Sequence, residues 1–267
     1  MNSHAFRCVP GHIQISTYVD GSADNPWLVL SNSLAATHSM WDLQMKTLLK
    51  RYRVLRYDTR GHGQSDVPAA PYSFDDLVGD AVALLDHYQI ERGTFMGLSL
   101  GGMTGLGIAL AHPGRLEALV CCDARADAPP QFVQGWNERI NAVRGGGLAS
   151  ILPATVERWL SAAFRAAHPD VVADVERMIL STPIVGYEGC AEALKRLDYL
   201  KDLHHITMPT LFVGGAEDMA APPEAMRAMA DRIRSSRFSI IAGGAHLSNI
   251  DSATGFHDAV KDFLQLD

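Results

Sequence analysis

Two hydrophobic rhythms alternate along the chain. Runs of consecutive apolar, often β-branched residues occur at Trp27–Ser31, Arg53–Tyr57, 94–98, Leu116–Cys122, 210–213 and 238–241. Runs this short and this apolar suit strands covered on both faces, as in a parallel sheet. Between them, apolar residues recur at helical spacing. The clearest case puts Leu77, Ala81, Leu84, Leu85 and Tyr88 on one helical face. Ser73 precedes it with Asp76 three residues on, a variant of the capping box that marks a helix start. Strands alternating with helices predict a doubly wound, mostly parallel α/β sheet.

The alternation stops between about residues 127 and 206 and resumes at Pro209. Helical stretches fill the gap, punctuated by Gly145-Gly146-Gly147, Pro153, Pro169 and Pro183. The expected organisation is a core formed by residues 1–126 and 207–267. Residues 127–206 form a helical insertion over the carboxyl edge of the sheet. A chain of 267 residues, 47% of them hydrophobic, can build a core of that size.

Charge narrows the range of partners. The net charge is −7 and no stretch is basic enough to follow a phosphate backbone, so no nucleic-acid partner is expected. The longest apolar runs are too short to cross a bilayer, and residues 1–10 lack the apolar stretch of a secretory signal. The four cysteines, Cys8, Cys121, Cys122 and Cys190, are spaced for neither a zinc site nor a disulfide framework. They read as small buried hydrophobes in a reduced cytoplasm.

Candidate chemistry centres on Gly97-Leu98-Ser99-Leu100-Gly101, which fits the nucleophile-elbow pattern. A predicted strand leads in and a predicted helix, 102–111, leads out. A turn this sharp strains its central residue and crowds the flanking positions, where glycines remove the clashing side chains. Ser99 would stand above the sheet, and a serine hydroxyl needs a base. His246 follows the last strand through Gly243-Gly244-Ala245, which places it at the carboxyl edge. Asp218 follows the strand before that and supplies a carboxylate to orient the imidazole. The order Ser99, Asp218, His246 is the order expected of a nucleophile elbow in this kind of sheet.

Asp123, just past Leu116–Cys122, is a competing acid; its other reading is a cap on the turn into the insertion. Glu217 reads as solvated. The oxyanion needs two donors: the Leu100 N–H at the helix start and the Leu34 N–H in Ser31-Asn32-Ser33-Leu34. The segment Asp58-Thr59-Arg60-Gly61-His62-Gly63-Gln64-Ser65 reads as a rigid loop under the site. His38, His62 and His112 have no matching acid or base in the sequence.

Together these residues resemble the α/β-hydrolase superfamily over nearly the whole chain. Within it they are most similar to the 3-oxoadipate enol-lactonases, which open a five-membered enol-lactone. The marks are Leu30-Ser31-Asn32-Ser33-Leu34, Ser39-Met40-Trp41, residues 54–63, Gly97-Leu98-Ser99 and Ala245-His246-Leu247-Ser248-Asn249. The resemblance implies an α/β-hydrolase fold with a helical cap inserted after the sixth strand. Three positions depart from it. Asp123-Ala124-Arg125 stands where the family has Asn-Thr-Ala, Leu100 where methionine is common, and Ala35-Ala36 where Gly-Thr is common.

The implied substrate carries a free carboxylate and needs a cation in its pocket. The insertion offers Arg125, Arg139 and Arg144, and the stripe Phe132, Trp136, Ile140 and Val143 lies on one helical face. Trp136, Arg139 and Arg125 are the expected substrate contacts, with the rest of the stripe packing the insertion onto the core. The reading is a small-molecule lactone or ester hydrolase that needs no metal or organic cofactor. The alternatives are a general carboxylesterase or perhydrolase, and a ligand-sensing receptor built on the same fold.

Overall fold

The computed structural model describes residues 2–8 in backbone and residues 13–266 in full. A buried role for Cys8, expected from the sequence, lies outside the described side chains. Among the described residues, eight strands form one sheet, in the order β1-β2-β4-β3-β5-β6-β7-β8. The strands are β1 (Asn2–Cys8), β2 (Ile13–Asp20), β3 (Trp27–Ser31), β4 (Arg53–Tyr57), β5 (Gly93–Leu98), β6 (Leu116–Cys122), β7 (Thr210–Gly215) and β8 (Ser236–Ile241). β1 and β2 pair antiparallel and β2 joins β4 antiparallel, while every pairing from β4 to β8 is parallel.

The first two strands are absent from the hydrophobic pattern. In β2 the buried residues include Ser16 and Thr17. Their polar groups are satisfied locally: the Ser16 N–H donates to Ser65 Oγ at 2.9 Å, and Thr17 Oγ1 lies 2.6 Å from Tyr88 Oη. A strand that buries hydroxyls in this way does not read as an apolar run.

Helices α1 (Asp42–Leu48), α2 (Phe74–His87) and α3 (Leu100–Ala111) connect the parallel strands. The strand order reverses after β4. Right-handed crossovers therefore put α1 on one face and α2 and α3 on the other. Ser73 caps α2: its hydroxyl accepts the Asp76 N–H and the Asp76 carboxylate accepts the Ser73 N–H.

Between β6 and β7 lie α4 (Pro130–Gly146), α5 (Leu152–Trp159), α6 (Ala162–Ala167), α7 (Pro169–Leu180) and α8 (Ile184–Leu194). Pro153 and Pro169 sit in the first turns of α5 and α7, where a missing N–H costs nothing, and α4 ends at Gly147 with φ +66°. The chain closes with α9 (Pro223–Ala230), the short α10 (Ser248–Asp251) and α11 (Ala253–Leu264). The chain belongs to the α/β class, a mostly parallel sheet flanked by helices, with a helical segment after the sixth strand. Cys121, Cys122 and Cys190 are buried free thiols. Among the described residues no helix is long and apolar enough to cross a membrane.

Candidate active site

The turn from β5 into α3 carries Ser99 with φ +55° and ψ −115°, a conformation L-residues adopt only when the surroundings impose it. The imposition is visible on both sides. A Cβ on Gly97 would sit 2.2 Å from the Gly101 carbonyl carbon, and one on Gly101 would sit 2.3 Å from the Ser31 carbonyl oxygen. Backbone therefore packs on backbone where the elbow turns. The Ser99 N–H donates to the Cys122 carbonyl at 2.8 Å and the Gly101 N–H to the Asn32 carbonyl at 3.0 Å, which ties the turn to both neighbouring strands.

His246, after β8, brings its Nε2 to 3.0 Å from Ser99 Oγ and its Nδ1 to 2.8 Å from Asp218 Oδ2. The other Asp218 oxygen accepts the N–H groups of Ala220 and Ala221 at 2.7 and 3.1 Å. A carboxylate opposite Nδ1 calls for a proton there, which leaves Nε2 free to accept from the serine hydroxyl. Ser99, His246 and Asp218 are 8%, 4% and 3% exposed; the serine and the histidine line the cavity, and the aspartate does not. Glu217 is exposed.

Asp123 takes a different place. Its backbone has φ +45°, and its carboxyl group accepts the Gly215 N–H at 2.8 Å and the Ser248 hydroxyl. It therefore links the acid-bearing strand to the residue two positions after His246. These bonds match neither of its two readings from the sequence, since they neither cap the turn into the insertion nor engage the imidazole. Burial, and then the nearby Asp218 charge, hold its pKa well above the usual carboxylate range.

The Leu34 loop is fixed from several directions. Asn32 accepts the Trp41 indole N–H at 3.1 Å and donates to the Tyr57 carbonyl at 2.7 Å. Ala35, at φ +60°, donates its N–H to His62 Nε2 at 3.0 Å. His62 Nδ1 lies 3.1 Å from the Arg60 carbonyl, and burial pushes the imidazole pKa down, so the ring is neutral with its proton on Nδ1. His62 thus has a partner on each nitrogen. His38 is also not the isolated histidine the sequence suggested, because its Nδ1 lies 3.0 Å from Asp58 Oδ1. Burial alone would raise the Asp58 pKa; the contacts with His38 and the hydrogen bond from the Gln64 N–H together outweigh it and hold the carboxyl below its ordinary value. Among the described residues neither the Leu34 nor the Leu100 N–H has a hydrogen-bond partner. Leu34 lines the cavity above Ser99; Leu100 is buried and is not a lining residue.

That cavity holds about 290 Å³ and is bounded below by Ser99 and His246 and above by α4, α5 and α8. The family model of the alpha/beta hydrolase fold matches residues 26–253. The chain belongs to the α/β hydrolase fold family. A 3-oxoadipate enol-lactonase of Acinetobacter baylyi is 34% identical over 92% of this chain and 91% of that protein. Among solved structures, the enol-lactonase from Burkholderia xenovorans superposes with a TM-score of 0.93 at 34% identity, covering 98% of this chain and all (100%) of that one. A thermophilic esterase from Thermogutta terrifontis, solved with malate bound, gives 0.92 at 26% identity, covering 99% and 98%. The protein is a hydrolase.

In this hydrolase the roof of the cavity carries the expected Trp136, Arg139 and Arg125. They differ in what already engages them. Arg125 pairs with Asp127 at 3.0 Å and lies over the Phe132 ring. Arg139 stacks on Trp136 with its guanidinium 4.6 Å from the ring centroid. The Trp136 indole N–H is buried with no partner. Ile140 and Val143 are buried packing residues, and Arg144 pairs with Glu188 outside the cavity.

The sequence reading missed Arg158, on α5, which lines the cavity with Arg139. Burial lowers the pKa of both, and the neighbouring Arg139 charge takes Arg158 further, to about 10. Among the described residues neither guanidinium pairs with a carboxylate; the Arg158 side chain donates only to Thr155 Oγ1 at 3.3 Å. No periodicity links positions 139 and 158, which lie on separate helices, so only tertiary packing brings them together.

Proposed function

We propose that this hydrolase uses Ser99 to open a small carboxylated lactone of the 3-oxoadipate enol-lactone type. The hydroxyl oxygen of Ser99 attacks the ring carbonyl while His246 Nε2 takes its proton, and Asp218 holds the imidazolium that results. The N–H groups of Leu34 and Leu100 hold the oxyanion. Collapse of the adduct breaks the ring C–O bond, and His246 returns the proton to the departing enol oxygen, which becomes the ketone of the product. Water, deprotonated by His246, then releases the acyl group as a carboxylate. Each proton is passed through one imidazole, so the chemistry calls for no cofactor.

Residues 127–206 act in this reading as a cap over a core of residues 1–126 and 207–267. Trp136 and Arg139, with Arg125 at the rim, contact the substrate, and Arg158 joins them. One observation supports the substrate class above the others. Two guanidinium groups without acidic partners line the same cavity as the serine and the histidine. Half-buried like charges side by side are costly unless an anion joins them. The enol-lactonase relatives agree with this reading, as does the malate in the esterase structure. The substrate is a small molecule, and the buried free thiols suit a reducing cytoplasm.

The test compares specificity constants for the enol-lactone and a neutral ester of similar size. The lactone is expected to win by at least about 100-fold, with Arg139→Gln and Arg158→Gln losing that margin mainly through KM. A lactone no better than the ester would reject the assignment and leave a general carboxylesterase, the reading that the esterase relative favours.

A further inference from the structure

The end of α5 and the residues just after it are bonded to both flanks of His246. Asp251, the last residue of α10, supplies most of the connection. Its Oδ2 accepts the Ala245 N–H at 2.7 Å, and its Oδ1 accepts both the N–H and the hydroxyl of Ser161, at 2.9 and 3.0 Å. On the other flank, the Leu247 N–H donates to the Trp159 carbonyl at 2.9 Å. Ala245, Leu247, Ser161 and Asp251 are all buried. These bonds are short, partly charge-assisted and shielded from water, the conditions under which hydrogen bonds fix geometry best.

The two tied segments belong to different parts of the chain. Trp159 and Ser161 lie in the helical insertion, one residue to either side of Leu160, and Arg158 and Trp159 line the cavity. Ala245 and Leu247 bracket the imidazole. A carboxylate acting only as a helix cap would spend its oxygens on its own helix. Here one oxygen serves the histidine loop and the other the insertion.

We infer that Asp251 is a positioning residue that clasps the cap to the His246 loop, so that the ligand-binding end of α5 and the imidazole keep one register. This rests on the reading of His246 as the base. Loosening the clasp leaves the imidazole free to drift from both Asp218 and Ser99. The chemical step suffers while binding of a small neutral substrate does not.

The test uses Asp251→Asn and Ser161→Ala in the full chain, with nitrophenyl acetate as substrate and rates expressed per Ser99 titrated by an organophosphate. An Asn can accept on one side only and presents an N–H₂ to a backbone N–H on the other. The expected result is a fall in kcat of about tenfold with KM within about twofold. A folded Asp251→Asn enzyme with wild-type kcat, or one whose loss appears as a raised KM, would overturn the clasp. If Asp251→Asn does not fold, Ser161→Ala decides the matter. It removes the hydroxyl's bond to Asp251 and the one the hydroxyl accepts from the Phe164 N–H at the start of α6: a loss of about threefold in kcat at unchanged KM supports the clasp, and wild-type kinetics or a loss confined to KM overturn it. Ser99→Ala in the same assay separates the two ideas. Activity surviving there removes the catalytic reading itself, whereas an inactive Ser99→Ala beside an unaffected Asp251→Asn removes only the clasp.

Discussion

Asp123 and Asp218 stand past the ends of neighbouring strands, and their surroundings ask opposite things of them. Asp218 meets two backbone N–H groups and the imidazole Nδ1, all suited to a carboxylate. Asp123 is wholly buried, next to that charge, and holds its proton far above the ordinary 3.8. The sign of the stability effect follows. The unfolded chain releases this proton near its ordinary pKa while the folded chain keeps it. The contribution is therefore fully present at low pH and is lost as pH rises toward the folded value. Asn mimics the neutral acid and cannot ionise. Asp123→Asn is expected to raise Tm at pH 7 to 8 by about 2–4 °C, measured by calorimetry, and to keep kcat within about threefold. Asp218→Asn is expected to cost about 10⁴-fold in kcat. Large loss in the first variant with little in the second would reverse the assignment of the acid. The sequence favoured Asp218 but kept Asp123 as a competitor, because both stand past the end of a strand. What separates them is where the Ser248 hydroxyl and the His246 ring come to rest. Arg158 was hidden for a related reason: a lone arginine on a short helix has no signature until a second unpaired cation packs beside it.

At the scale of elements, the glycines of α2 and α3 divide into those the fold requires and those it does not. Gly101 touches the Ser31 backbone across the β3–α3 contact, so a methyl group there must displace main chain. Gly79, on the exposed side of α2, has nothing within 4 Å of where its Cβ would be. Gly101→Ala is expected to cost about 3 kcal/mol or more by urea unfolding, and Gly79→Ala to stabilise by about 0.5–1 kcal/mol. Equal effects would show that the elbow has slack the geometry does not suggest. The same contrast explains how the elements could be read. β3 to β7 announce themselves because helices cover both faces, so Val29, Phe95 or Phe212 must be apolar. β8 was legible from its last residues alone, since as an edge strand it buries only Ile241. β2 escaped because Ser16, Thr17 and Tyr18 bury hydroxyl groups in a hydrogen-bonded patch.

For the whole molecule, the helical segment is seated on the sheet by backbone contact as well as by apolar packing. A Cβ on Gly186 of α8 would fall 1.9 Å from the Gly61 carbonyl oxygen, in the loop after β4, and Gly189 packs against the Tyr72 ring. The loop beneath the site, from Asp58 to Ser65, thereby meets α8 on one side and the Ala35 turn on the other. The sequence showed where strand alternation ceased and resumed, and with it the break at residues 127–206. It could not show which helices close over Ser99, since that depends on contacts between glycines that carry no side-chain signal. Every step proposed for this molecule passes through one serine hydroxyl facing one imidazole under that roof. The most direct measurement is steady-state turnover of the enol-lactone by folded Ser99→Ala. A fall of at least about 10⁴-fold is expected, with the thermal unfolding profile unchanged; turnover at the wild-type rate would contradict the account.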